Sequence, residues 1–137
     1  MALVSITRLR LRAWRFLPGF LWYALRTRRQ ALLAKGNLGV SVMRDLRRTY
    51  WTATLWQDEA AMRQYIKAGA HGQAMRRLAH WCDEASVVHW VQEVSSLPTW
   101  PEAYRRMQAQ GRPSKVRHPS ADHLAWRIAA PVVRAVA

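Results

Sequence analysis

The feature that most constrains this chain is a run of alternating side chains at residues 49–57, TYWTATLWQ. β-Branched and aromatic residues dominate this run, and such residues favour strands. Successive side chains of a strand point to opposite faces, so Trp51 and Leu55 share one face and Tyr50 and Trp56 share the other. Because both faces carry aromatic side chains, we expect both to be covered.

Similar patterns place the remaining elements. Alternation predicts further strands at residues 2–10, 38–47 and 86–94, and helical spacing predicts helices after Pro18-Gly19, after Asp58 with a break near Gly69, and from Pro101 to Gly111. The order strand, helix, strand, strand, helix, strand predicts an α+β, ferredoxin-like fold with a C-terminal helical extension. Its aromatic sheet face, left open by the two helices, predicts a homodimer with face-to-face sheets, a dimeric α/β barrel.

The length of the chain indicates one domain, and its net charge indicates which classes of partner it can bind. The 137 residues suit one domain, predicted over residues 1–111, with a basic C-terminal tail at 112–137. The net charge is +14, and the first fifty residues hold eleven Lys or Arg against the single acid Asp45. Such a field attracts nucleic acid, acidic lipid and anionic ligands. The chain has no compact basic helix with interleaved readout residues, which argues against nucleic acid.

The hydropathy pattern predicts a soluble, cytoplasmic protein. The N-terminus reaches several arginines before any apolar run, which argues against a secretory signal. The longest apolar run, residues 16–25, is too short to span a bilayer. Its flanking Arg15 and Arg26 leave peripheral membrane contact open. The single cysteine, Cys82, excludes an intramolecular disulfide and falls at an apolar helix position, so we expect a buried, inert thiol.

Residues 54–75, TLWQDEAAMRQYIKAGAHGQAM, resemble the strand-turn-helix signature of proteins similar to antibiotic-biosynthesis monooxygenases. The matching parts are Trp56, the acidic turn Asp58-Glu59, Tyr65, and the step Gly69-Ala70-His71. The resemblance implies a dimeric α/β barrel and a monooxygenase-like enzyme acting on a hydrophobic aromatic or polyketide-like molecule. The fold also hosts haem-degrading enzymes and non-enzymes, so the resemblance constrains the activity less than the fold.

The haem-degrading branch of that family differs from this chain at two positions. The resemblance implies a Trp and, ten residues later, a haem-ligating His on the second helix, where this chain has Tyr65 and Met75. The difference argues against haem degradation of that type. A cofactor-free enzyme and a haem-binding protein both remain open.

Two histidines are the candidate catalytic residues. His71 matches the His often seen after the small-residue break in cofactor-free, quinone-forming members, where it would act as a general base; the alternative is local capping or packing. His89 lies in the middle of a predicted strand and could polarise a phenol or carbonyl, or be a hydrogen-bonded interior histidine. No pair of histidines has the spacing of a zinc-binding helix, so no metal site is predicted.

Aromatic and arginine side chains complete the candidate site. A wall for a flat, hydrophobic substrate could be built from Tyr50, Trp51, Trp56, Tyr65 and Trp90. The alternative places these rings in the core and dimer interface. Arg8 and Arg44 lie on strands, where either could bind a substrate carboxylate or lie in solvent beside Asp45. A third class of function is a non-catalytic module that docks its basic N-terminal third on an anionic partner or membrane.

Overall fold

The computed structural model describes residues 1–67 and 76–131. Its strands are β1 (Ala2–Leu11), β2 (Asn37–Arg44), β3 (Thr49–Trp56), β4 (Cys82–Gln92) and β5 (Arg112–Pro113). Its α-helices are α1 (Leu17–Leu33), α2 (Glu59–Lys67), α3 (described over residues 76–81), α4 (Trp100–Gln110) and α5 (Ala121–Leu124), and a 3-10 turn precedes α1. Within the described residues no helix combines the length and the apolar character needed to cross a membrane.

The strands form one antiparallel sheet in the order β2-β3-β1-β4-β5. The first four strands have the order of the ferredoxin-like fold, which confirms the predicted fold class. Ser5 on β1 lies opposite Thr54 on β3 and His89 on β4. Directly opposite residues share a face, so this register fixes which side chains lie together.

The first sheet face lies under α1 and α2. Phe20 of α1 packs with Leu11 and Tyr50, and Met62 of α2 packs with Leu3 and Trp56. Local signals set both helices as predicted. Pro18 sits in the first turn of α1, the Asp58 carboxylate accepts a hydrogen bond from the Ala61 N–H at 2.8 Å, and Gly36, at φ +87°, follows the end of α1.

The second sheet face lies under α4, which turns an exposed surface into core. Trp51 and Val88 of the sheet pack with Ala103 and Met107 of the helix, and all four are almost fully buried. Pro101 in the first turn and Thr99, whose side chain accepts a hydrogen bond from the Glu102 N–H, start this helix. The aromatic sheet face, on whose exposure the predicted sheet-to-sheet dimer was based, is therefore covered by α4 of the same chain. The homodimer stays a prediction.

The segment predicted as a tail is packed against the sheet over residues 112–131. Arg112 pairs with Val87 of β4, and Trp126 and Ile128 pack in the second-face core. The Ser120 hydroxyl, at the N-cap of α5, donates to Glu84 Oε2 at 2.8 Å. These contacts attach the segment to the domain that was predicted over residues 1–111.

The start of β4 and the surroundings of Arg8 and Asp45 differ from the predictions. The strand begins at Cys82, not at residue 86, so Cys82 is a strand residue; its thiol is buried, and burial raises its pKa to about 12. Glu84 lies 2.7 Å from the Arg8 guanidinium, which is 2% exposed and not in solvent. Asp45 pairs with no arginine side chain in the described part of the chain, and its carboxylate accepts backbone N–H bonds from Arg47 and Thr49.

Candidate functional site: a cavity between sheet and helices

A cavity of about 400 Å³ lies between the first sheet face and the helices above it. Its floor comes from β1 to β4, its roof from α1, α2 and residues 78–79, and one side from residues 112–115. Small-molecule sites commonly range from about 300 to 1,000 Å³. The cavity is therefore large enough for a small organic ligand, and its described walls all belong to one chain.

Small hydroxyl side chains at the centre of the floor explain why the cavity exists. Two adjacent rows of the register place them together on β1 and β3: Ser5, Thr7, Thr52 and Thr54. None is large enough to fill the space between sheet and helices, which bulky side chains occupy at both ends of the floor. The result is an apolar chamber whose floor offers hydroxyl groups.

Trp56 and Tyr65 form an aromatic wall at one end. Their rings stack with centroids 5.1 Å apart and an interplanar angle of 26°. The Trp56 indole N–H donates to Thr54 Oγ1 at 2.8 Å, and the Tyr65 hydroxyl donates to the Thr27 carbonyl at 3.2 Å. Burial raises the pKa of Tyr65 to about 12, opposed by the hydrogen bond with Thr27, so its phenol stays protonated at neutral pH. The stacked, hydrogen-bonded pair suits a flat ring.

Tyr50 lies at the other end of the floor and contributes a polar group without a partner. Its ring packs against Phe20, with centroids 4.6 Å apart, and the residue is 5% exposed. The Tyr50 hydroxyl is buried and makes no hydrogen bond within residues 1–67 and 76–131. A buried hydroxyl normally has a partner, so this one is suited to bind a polar atom of a ligand.

His89 is the titratable group on the floor with a shifted pKa. It lies opposite Ser5, is half-buried, and its imidazole forms no hydrogen bond with any described residue. Burial lowers its pKa below the ordinary value, the positive charge of Arg112 lowers it further, and Glu59 opposes both. The imidazole is therefore mainly neutral at pH 7 and can accept a proton.

Sequence reasoning grouped the cavity residues only in part. Four predicted site residues line the cavity together: Tyr50, Trp56, Tyr65 and His89. Predicted His71 lies outside the described residues, as does Met75. Of the two candidate histidines, only His89 can therefore be placed.

Three predicted substrate-binding residues do not line the cavity. Trp51 and Trp90 point to the opposite sheet face, because they alternate with Tyr50 and His89, and they pack in the core with α4. Arg44 is exposed at the end of β2 and lies outside the cavity. Of the five aromatic residues predicted to line the site, Trp56 and Tyr65 form a wall at one end and Tyr50 lies at the other end of the floor.

Sequence reasoning missed two parts of the site. The alternation of β1 and β3 places the small hydroxyl side chains on one face, but alternation alone does not show that a cavity lies above them. Arg112 and Lys115 reach the cavity because β5 pairs with β4, and no local pattern signals so short a strand. Among the described residues, no group of three His, Cys, Asp or Glu side chains could hold a metal ion.

The sequence from residue 10 to residue 118 matches the model of the family described as Domain of unknown function (DUF3291). The chain belongs to this family. No curated protein matches the sequence. The match covers β2 to β5, α1 to α4 and the end of β1, whereas the β1 residues of the cavity floor lie before it.

Solved structures place this DUF3291 member among monooxygenase-like folds. A putative antibiotic biosynthesis monooxygenase from Nitrosomonas europaea aligns with a TM-score of 0.60 and 11% identity over 66% of this chain and 89% of that chain. SnoaB, a cofactor-independent oxygenase from Streptomyces nogalater, aligns with a TM-score of 0.55 and 16% identity over 72% and 98%. A conserved protein from Methanosarcina mazei Go1 aligns with a TM-score of 0.61 and 14% identity over 68% of this chain and 94% of that chain.

These identities show likeness of fold alone. They confirm the α+β, ferredoxin-like fold and the resemblance to antibiotic biosynthesis monooxygenase-like proteins. The chemistry has to be argued from the cavity of this chain.

Proposed function

We propose that this chain is a cofactor-free, monooxygenase-like enzyme that oxidises a hydrophobic, phenolic aromatic or polyketide-like molecule in the cavity. The observation that supports it most is the imidazole of His89, which is mainly neutral at pH 7 and has no hydrogen-bond partner among the described residues, on the floor of an apolar chamber with an aromatic wall. The fold shared with a cofactor-independent oxygenase supports the reaction class.

In the proposed reaction, His89 accepts a proton from the bound substrate and leaves an electron-rich carbanion or phenolate. The stacked Trp56 and Tyr65 hold the ring system, and the unpaired Tyr50 hydroxyl donates a hydrogen bond to a substrate oxygen at the far end of the floor. The carbanion reacts with O₂. For an anthrone, the CH₂ group becomes C=O, one O₂ is consumed and one water is released, which balances atoms and electrons.

The test uses the full chain with dithranol (1,8-dihydroxy-9-anthrone), following oxygen uptake and quinone absorbance above the uncatalysed rate. A general base contributes about 10²- to 10⁴-fold, so we expect His89→Gln to lower kcat by at least about 10²-fold. The matched control is His118→Gln, because His118 is exposed and lies outside the cavity.

The pH dependence gives a second readout. The reaction needs neutral His89, whose pKa lies below its ordinary value of about 6.5. The rate should therefore stay constant above that value and fall as the pH drops through the lowered pKa. Full activity of His89→Gln with loss in His71→Gln would assign the base to His71. No enzyme-dependent oxygen uptake with any phenolic anthrone would show the oxygenase proposal to be wrong.

A second candidate, haem binding in the same cavity, is favoured by the unpaired imidazole of His89. Neutral histidine is a common iron ligand, and Arg112 and Lys115 could bind the haem carboxylates. Bound haem would supply redox chemistry at its iron. Titration of the purified protein with hemin distinguishes the two candidates: a Soret shift that disappears in His89→Gln favours haem, and an unshifted spectrum favours the cofactor-free enzyme.

A further inference from the structure

The side of the cavity formed by β5 carries two cationic side chains. Arg112 lies directly opposite Val87, a floor residue, so both side chains are on the cavity face of the sheet. Lys115 also lines the cavity and follows Ser114, whose N–H donates to the Ala85 carbonyl at 2.8 Å. That hydrogen bond holds the segment against β4 beyond the short strand.

Neither cation is neutralised within the described part of the chain. No described acidic side chain lies within 4.0 Å of the Arg112 or Lys115 cationic group, and no described cavity-lining residue is Asp or Glu. The acids of β4 are engaged elsewhere: Glu84 pairs with Arg8 at 2.7 Å, and Asp83 lies 3.7 Å from Arg10. This rim of the cavity therefore carries uncompensated positive charge.

The charge on Arg112 also reaches the proposed base. His89 and Arg112 are diagonal neighbours on adjacent strands, since Val87 lies opposite Arg112 and His89 is two residues further along β4. Diagonal neighbours are about 7–8 Å apart. Arg112 is the second cause, after burial, of the lowered pKa of His89. A group bound at Arg112 therefore lies close to the imidazole.

We infer that the cavity takes an aromatic carboxylic acid, with its ring system on the hydroxyl floor beside His89 and its carboxylate between Arg112 and Lys115. This inference deepens the proposed function, on which it rests for the identity of the ligand as substrate. Arg binds carboxylates with two parallel hydrogen bonds, and Lys adds a point charge. The apolar walls select the ring system, and the two cations select the acid.

A bound carboxylate also changes the base. Its negative charge offsets that of Arg112 and raises the pKa of His89 towards the ordinary value. A neutral ligand leaves the effect of Arg112 in place. The carboxylate of the substrate and the pKa of His89 are thus linked through Arg112.

The test compares 2-naphthoate with its neutral analogue 2-naphthylmethanol by isothermal titration calorimetry on the full chain, at equal salt. We expect 2-naphthoate to bind at least about tenfold more tightly, a preference that Arg112→Gln/Lys115→Gln removes. Arg47→Gln is the control, since Arg47 is exposed, lies outside the cavity and leaves the general charge of the chain high. Arg112 and Lys115 are both exposed, so the variants should fold, which circular dichroism checks.

Two results would overturn the inference. Equal binding of the acid and the alcohol would show that the proposed anion subsite does not exist. A preference that survives in the double variant would assign acid binding to Arg28, which also lines the cavity, or to the net charge of +14. NMR titration of His89 gives an independent readout: 2-naphthoate should raise its pKa and 2-naphthylmethanol should not. An acid preference without oxygen uptake would support the anion subsite and refute the oxygenase proposal. Oxidation of dithranol without an acid preference would support the oxygenase and refute the anion subsite.

Discussion

Tyr50 is the residue at which stability and activity can be separated. Its ring packs against Phe20, but its buried hydroxyl has no partner within the described residues. Removing a hydroxyl without a partner leaves no other group unpaired. The ring therefore serves the fold, and the oxygen is free to serve a ligand.

We expect Tyr50→Phe to change the free energy of unfolding by less than about 1 kcal/mol, because only the unpaired hydroxyl is lost. The rate of dithranol oxidation should fall by about tenfold or more, since the substrate oxygen loses a donor. Denaturant unfolding and steady-state kinetics measure the two effects. The control is Tyr104→Phe on the second sheet face, which should change neither; an unchanged rate for Tyr50→Phe would exclude its hydroxyl from the reaction.

For single residues, the sequence predicted on which face of the sheet a side chain lies but not what packs against that face. Alternation correctly placed Tyr50 and Trp51 on different faces of the sheet, because a strand's period of two is local. Which face holds a cavity depends on distant parts of the chain, so Trp51 and Trp90 could not be separated from the wall residues. The buried pair of Arg8 and Glu84 was missed for the same reason, since 76 residues separate the partners.

Among the elements, α4 makes the main difference from the expected barrel, because it covers the sheet face that was predicted to pack on a second sheet. Its position was predicted from Pro101 and Gly111, but its packing partner was not, because amphipathic spacing does not say which surface a helix covers. The start of β4 shows the same limit. The apolar stripe that suggested a helix through Cys82 is overridden by pairing with β1 and by the contact between Glu84 and Arg8.

We expect Met107→Ala to destabilise the protein by about 2–5 kcal/mol, because Met107 is fully buried between α4 and the sheet and its loss leaves a space there. Gln108→Ala, one residue further on the exposed face, should stay within about 0.5 kcal/mol. Urea unfolding followed by tryptophan fluorescence measures both. Equal stability of the two variants would mean that α4 does not cover the second sheet face.

For the whole molecule, α1 offers an exposed apolar surface for a homodimer, and this surface differs from the sheet-to-sheet contact that the sequence predicts. Trp22 is 62% exposed and Leu25 65%, and both lie near the exposed Arg26 and Arg29. Exposed apolar side chains clustered on one helix indicate a contact surface. The charges nearby keep contact with an acidic membrane open as the competing use of this face.

We expect light scattering on the full chain to give twice the mass of one 15.9 kDa chain, and Leu25→Glu to shift it to the monomer by placing charge in the interface. Leu46→Glu is the control, since Leu46 is 60% exposed in the turn between β2 and β3. A monomer that sediments with anionic liposomes, and loses that binding in Leu25→Glu, would contradict the dimer and favour a membrane-docking surface.

The cover that α4 provides has a consequence for how the protein behaves on dilution. The described cavity walls and the helix closing the second sheet face come from one polypeptide, so we expect the site to form without a second chain. Turnover per chain should then be independent of protein concentration, down to levels at which any homodimer has dissociated. The chain would work equally well when scarce and when abundant, a property that a site shared between subunits loses by mass action.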